Sequence, residues 1–212
     1  MRKSLTGEKT ALAATAIIAA VLCPISPLHA QSTIAVRGGT ILTMSGRTIR
    51  NGTVLIRGSK VEAVDENVEL PPNAEIVDAS GKYVLPGLID AMTYYGVRPT
   101  DVNDTSKPVT PENRITDGYY PYGEFHQGMS GIAADKEILC GGITTIYIAP
   151  GNRQVISGQG AVVKTFGETL DRMVLRDPAS IEMALGEPPK ESFKAKQMSP
   201  STRMSLVVHI RE

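Results

Sequence analysis

The chain has 212 residues, 42% of them hydrophobic, and its 22 basic residues balance its 22 acidic ones. That length holds one sizeable domain or two small ones. The even balance, with no run of Lys or Arg longer than two, removes the electrostatic case for a nucleic-acid partner.

Residues 1–30 differ from the rest. Arg2, Lys3 and Lys9 make a basic start, Ala11 to Leu22 is continuously apolar or small, and Pro24 and Pro27 precede Leu28-His29-Ala30. This is the layout of a secretory signal peptide cleaved after Ala30, and it predicts export to the periplasm or the medium. The alternative is an uncleaved membrane anchor, but a spanning helix needs roughly 20 apolar residues and this run is shorter, so no stable membrane span is expected after cleavage. Cys23 is a poor lipidation site because Leu22 precedes it. The mature chain then keeps only Cys140, which rules out an internal disulfide. Cys140, just before Gly141-Gly142, reads as a small buried residue.

From residue 31 to 86 short β-rich segments alternate with turn residues. The segments are Ile34-Ala35-Val36, Thr40-Ile41-Leu42, Thr53 to Ile56, Lys60 to Val64 and Glu75-Ile76-Val77. Gly38-Gly39, Asn51-Gly52, Gly58-Ser59, Pro71-Pro72-Asn73 and Ser80-Gly81 read as turns, and Arg57 to Lys60 as a tight hairpin. Short strands with regular turns predict a small β-sandwich.

The run Val84-Leu85-Pro86-Gly87-Leu88-Ile89-Asp90 reads as one strand handing over to another at a domain junction, which divides the mature chain into 31–86 and 87–212. Val97 to Tyr122 is rich in Pro, Asp, Asn and Thr and has no period, so it reads as a long loop of the functional or flexible kind. A helix is expected from about Phe125 to Leu139, followed by Gly141-Gly142 and a buried strand, Ile143 to Ile148. Strand, long connection, helix and apolar strand is the order of a parallel sheet. Ala161-Val162-Val163 reads as a further strand, Ile181 to Leu185 as strand or helix, and Thr202 to Glu212 as the start of a helix.

These segments, taken in order, resemble the N-terminal part of the amidohydrolase superfamily, in its imidazolonepropionase-like and dihydroorotase-like range. The resemblance rests on Gly39 to Thr43, Asn51 to Ile56, Val77 to Lys82, Val84 to Asp90 and Gly142-Ile143-Thr144-Thr145. Ser157 to Ala161, Met183 to Glu187 and Thr202-Arg203-Met204 are similar to segments of one bacterial branch. The resemblance implies an α/β fold, a (β/α)8 TIM-type barrel preceded by strands of a small composite β-sandwich. Such a barrel needs about 250 residues, so the stretch after Asp90 is expected to hold only about three of its strands. The sequence-based expectation is an incomplete barrel, either a fragment or an early-stop product, with exposed strand edges and poor stability alone.

The resemblance also implies hydrolysis of C–N bonds in a small-molecule or peptide-like substrate, assisted by one or two zinc-like divalent ions. In the family the run ending at Asp90 continues into two metal-binding histidines, and here Met92 and Tyr94 occupy those positions. A thioether and a phenol do not replace imidazole for such an ion. His126 and His209 are the histidines left after signal removal, and neither falls at an expected strand end. Met92 and Tyr94 are expected to pack in the barrel interior or its mouth, and Asp90 to be structural.

Two other oxygen or lysine donors enter as weak candidates. Lys164 closes the strand Gly160 to Val163 and is either a carboxylatable strand-end lysine or a surface residue. Glu182 stands where that bacterial branch often carries a lysine, and is either an oxygen ligand or a surface carboxylate. Without imidazoles, these make a weak site, and the chain is expected to hold no metal itself. The non-catalytic alternative is a degenerate relative with at most a binding role. Tyr94, Tyr95, Tyr119, Tyr120, Tyr122 and Phe125 flank the long loop, either as a binding lip or as a satellite core, the latter being favoured.

Overall fold

The computed structural model describes residues 32–121 and 138–211. The signal segment 1–30, Cys23, Tyr122, Phe125, His126 and nearly all of the expected helix lie outside them; residues 138–140 are helical. The contacts divide the chain into two compact units between Leu85 and Pro86.

The first unit holds β1 (Thr33–Leu42), β2 (Thr48–Arg57), β3 (Lys60–Asp65), β4 (Glu75–Asp78) and β5 (Tyr83–Val84). They form one sheet in the order β3-β2-β1-β4, with β5 also pairing β1. A sandwich needs a second facing sheet, and none is formed among the described residues of this unit. The hairpin expected at Arg57 to Lys60 is present, with Arg57 opposite Lys60 and Gly58 at φ +58°. Gly38-Gly39 and Asn51-Gly52, expected as turns, are instead bulges inside two ten-residue strands. Gly38 sits at φ +85° and Asn51 at φ +50°. The bulges have a packing consequence. Val36 and Ile41 are an odd number of residues apart, so a regular strand would send them to opposite faces. The extra residue at Gly38 returns Ile41 to the face of Val36, and the one near Asn51 does the same for Ile49 and Val54. Ile41, Ile49 and Val54 are the buried centre of this unit's core, with Val36, Ile56, Val64 and Val84 packed on them.

The second unit holds β6 (Leu88–Thr93), a 3-10 turn (Ile115–Asp117), β7 (Ile143–Ile148), β8 (Ile156–Lys164), α1 (Leu170–Met173), β9 (Val174–Met183), α2 (Glu187–Lys194) and α3 (Arg203–Arg211). Its sheet runs β6-β7-β8-β9. β6 and β7 are parallel, as the order of elements predicts, whereas β8 and β9 run antiparallel to their neighbours. A short return after β7 therefore replaces the helical crossover that a parallel strand requires. Ile146, Ile148, Ala161 and Val163 present one face, and the long loop covers it with Val97, Val102, Ile115 and Tyr119. That loop is stitched on through backbone bonds, Thr110 N–H to Ile156 O at 2.9 Å and Gln159 N–H to Asn113 O at 2.7 Å.

The satellite-core reading holds for part of the aromatic group. Tyr119 is buried and Tyr95 packs against the core, while Tyr94 and Tyr120 are exposed. Cys140 is exposed rather than buried, because it lies in the final helical turn just ahead of the chain reversal at Gly142, φ +83°. The segment left ambiguous at Ile181 to Leu185 is the end of β9. Downstream, α2 starts with Pro188 in its first turn, where a missing N–H costs nothing. The expected terminal helix is α3, and the Ser205 N–H donates to Thr202 Oγ1 at 3.2 Å as its cap. Among the described residues no helix is long and apolar enough to cross a membrane.

Candidate functional site

Asp90, Met92 and Tyr94 stand at the carboxyl end of β6, the end at which sheets with parallel strands usually present their chemistry. Simple alternation would put all three on one face. It does not hold here, because Asp90 pairs with Ile146 and Thr93 with Ile148, which leaves one extra residue between them on β6. The bulge re-aims the residues that follow Asp90. Asp90 is half-buried, and its Oδ1 accepts the Met92 N–H at 3.2 Å. One carboxylate oxygen is thus engaged within the bulge.

Met92 is 49% exposed and Tyr94 41%. The expected packing of both in an interior is not found, because β6 is an edge strand whose neighbour among the described residues is β7 alone.

The other candidates do not converge on this strand end. Lys164 pairs with Thr145, near the amino end of β7, whereas Thr93 pairs with Ile148 at the carboxyl end. Three residues of strand separate the two levels, about 10 Å. The antiparallel course of β8 is the cause: its last residue returns to the end where β7 begins. Glu182 pairs with Gly158, which precedes Ala161 on β8, and Ala161 pairs with Ile148. Glu182 is therefore at the same end as Met92, but on β9, three strands away from β6 and about 14 Å across the sheet. His209 lies on α3, with its Nε2 3.1 Å from Ser199 Oγ.

A zinc-type ion needs three or four nitrogen, thiolate or carboxylate donors around one point. The β6 end offers a thioether, a phenol and a carboxylate already engaged by an N–H. These residues do not fit such an ion. Among the described residues, no group of three or more His, Cys, Asp or Glu side chains is placed to hold one.

A second constellation escaped the sequence reading. Asp177, in the bulge of β9, has a side chain 8% exposed and pairs with the Arg114 guanidinium. Thr116 Oγ1 donates to the same Oδ2 at 2.8 Å, while Oδ1 is buried without a partner among the described residues. Burial pushes the carboxyl up, but the bonds from Arg114 and Thr116 outweigh it and hold its pKa below the usual range. Elsewhere in the same unit, the buried Gln154 amide donates to Lys107 O at 2.9 Å and Thr110 Oγ1 at 2.7 Å. The Asp-Pro dipeptide at 177–178 was the sole local signal, and it marks a chain irregularity without naming a partner.

No family model matches the chain. An amidohydrolase of Hapsidospora irregularis, tasK, is 29% identical over 174 residues, which span 72% of this chain and 17% of that protein. An adenine deaminase of Listeria innocua is 24% identical over 192 residues, 89% of this chain and 28% of the relative. Among solved structures, an amidohydrolase from Thermotoga maritima superposes with a TM-score of 0.74 at 33% identity, covering 84% of this chain and 45% of that one. The chain thus spans less than a third of these two curated relatives and under half of the Thermotoga protein. The order of segments, the mixed α/β architecture and this superposition agree, and the chain belongs to the amidohydrolase superfamily.

Proposed function

We propose that this chain supplies the amino-terminal portion of an amidohydrolase-type protein, a partial TIM-type barrel with its preceding sheet, whose β6 end binds a small-molecule or peptide-like ligand without a metal ion. The observation that carries this reading is the exposure of Met92 and Tyr94 at the two positions that resemble the family's metal-binding pair. A thioether contacts apolar groups, and a phenol both stacks and donates one hydrogen bond. Neither generates a hydroxide nucleophile at neutral pH, so the strip binds rather than hydrolyses. Export after removal of residues 1–30 belongs to the same proposal.

The second reading is a metal-dependent hydrolase of C–N bonds, favoured by the similarity to proteins named amidohydrolase and adenine deaminase. It needs an ion held by residues other than Met92 and Tyr94.

The two readings separate in one experiment. The purified protein is dialysed against zinc, its metal content is measured by mass spectrometry, and hydrolysis of a panel of amides is followed with and without chelator. Metal near zero and no chelator-sensitive turnover supports the binding reading. One or two retained ions with chelator-sensitive turnover overturns it.

A further inference from the structure

The loop that follows β7 and the helix α2 flank an open cleft of about 450 Å³, lined by Asn152, Arg153, Pro188, Glu191 and Ser192. That volume lies in the range of small-ligand sites, roughly 300–1,000 Å³. The cleft opens beyond the carboxyl end of β7, where ligands of α/β sheets characteristically sit.

Both walls are held before any ligand arrives. On one side, the Arg153 N–H donates to Asn103 Oδ1 at 3.0 Å and the Gly151 N–H to Val102 O at 2.7 Å. A Cβ at Gly151 would run into the Asn103 carboxamide, so a side chain there would have to displace the group that accepts the Arg153 N–H. The neighbouring Gln154 is pinned by its two amide bonds. On the other side, Phe193 and Pro189 are fully buried and anchor α2. Lys196, just beyond that helix, donates to Thr105 O at 2.7 Å and ties it to the same loop system.

The charges lining the cleft are the informative part. Elsewhere on α2, Glu187 and Lys190 satisfy each other at 2.6 Å. Arg153 and Glu191 face the same cleft from opposite walls, yet among the described residues neither side chain forms an ion pair or a hydrogen bond. Two opposite charges that flank one preformed cleft and do not close on each other leave a complementary dipole for a ligand. A guanidinium takes a carboxylate in bidentate fashion, and a carboxylate takes an ammonium.

We propose that this cleft binds a zwitterionic amino-acid-like molecule of about dipeptide size, its carboxylate on Arg153 and its ammonium on Glu191. Asn152 and Ser192 supply hydrogen bonds between the two charged ends. The inference rests on the reading of the ligand as peptide-like and gives it a charge pattern, at residues distinct from Asp90, Met92 and Tyr94.

The test is calorimetric titration of the protein with alanyl-alanine, with N-acetyl-alanyl-alanine, which lacks the ammonium, and with alanyl-alanine amide, which lacks the carboxylate. Alanyl-alanine is expected to bind saturably, and each blocked form at least tenfold more weakly. Arg153→Met weakens alanyl-alanine tenfold or more without changing the already weak amide form. Glu191→Gln does the same without changing the N-acetyl form. The exchange Arg153→Glu with Glu191→Arg restores alanyl-alanine binding to within about threefold, because a zwitterion can reverse in the cleft. No saturable binding by the unaltered protein, or binding indifferent to both single variants, overturns the proposal. The metal measurement under the proposed function is unaffected by either result, so the two readings fail separately.

Discussion

The Thr116 hydroxyl donates to Asp177 Oδ2 at 2.8 Å and so joins the 3-10 turn to the bulge of β9. Thr116 is 7% exposed, and Asp177 Oδ1 has no partner among the described residues. This carboxylate therefore depends on few donors, and losing one is felt. Thr116→Val keeps the shape and removes the donor, and it is expected to cost about 1–2 kcal/mol. Urea unfolding, read as a lowered midpoint at unchanged slope, checks it.

Acid should weaken the same unit through two aspartates. Asp177 is held below the ordinary range because the Arg114 and Thr116 bonds outweigh its burial. Asp104 is held low chiefly by the hydroxyl and amide of Ser106, then by the Asn113 amide. A carboxyl whose folded pKa is depressed contributes stability that is fully present above its unfolded value, about 3.9. That contribution is lost as the pH falls through the folded value. Unfolding midpoints should be flat from neutral pH down to about 5, then drop below the ordinary aspartate pKa. In the Asp177→Asn variant the drop should be shallower, and an unchanged slope would count against this assignment.

Gly158 marks the place where the loop comes nearest to the sheet. Its φ is +130°, and a Cβ there would lie 2.4 Å from the Asn113 carbonyl oxygen. Gly158→Ala adds backbone strain to overpacking against main chain, so about 2–4 kcal/mol is expected. Gly46 is the control, at φ +97° with nothing within 4 Å of its would-be Cβ. Gly46→Ala carries only the conformational cost, about 1–2 kcal/mol. Thermal melts of the two variants, compared side by side, test whether close approach or dihedral angle dominates.

Much of the chain's order was legible because it is local. The hairpin at Gly58-Ser59, the strand Ile143 to Ile148 and its parallel partner all follow from patterns within a few residues. Gly38-Gly39 was misread as a turn because a bulge and a turn ask the same thing of a glycine, a positive φ. What separates them is the partner strand. The long loop has no period because it contributes single residues to the core, Val97, Val102, Ile115 and Tyr119, each spaced by the path it follows across the sheet. Lys164 was visible as a strand end. Which end of the sheet it reaches depends on β8 running antiparallel, and residue alternation looks the same in both directions. The Asp177 cluster and the Arg153–Glu191 cleft join residues far apart in sequence, and no spacing rule connects them.

The paired substitution Met92→His with Tyr94→His is the sharpest test of the β6 end. It returns two imidazoles to the positions that resemble the family's metal ligands. Zinc would need at least one further donor at the same level of the sheet. Asp90 is the nearest, but a bulge separates it from Met92 in register and its Oδ1 already accepts the Met92 N–H. Lys164 lies two strands across and about 10 Å further along the strand direction, at the opposite strand end, and Glu182 three strands, about 14 Å, across the sheet. The variant is therefore expected to retain well under one zinc per chain after dialysis and to gain no chelator-sensitive hydrolysis. Metal content by mass spectrometry decides the first point and an amide-hydrolysis assay the second. If one zinc per chain were retained, the Asp90 carboxylate would have to leave its N–H partner and the bulge between Asp90 and Thr93 would have to open. Adding Asp90→Asn to the pair of substitutions tests that directly: it should abolish the retained ion if Asp90 is the third ligand, and leave it unchanged if the donor comes from elsewhere.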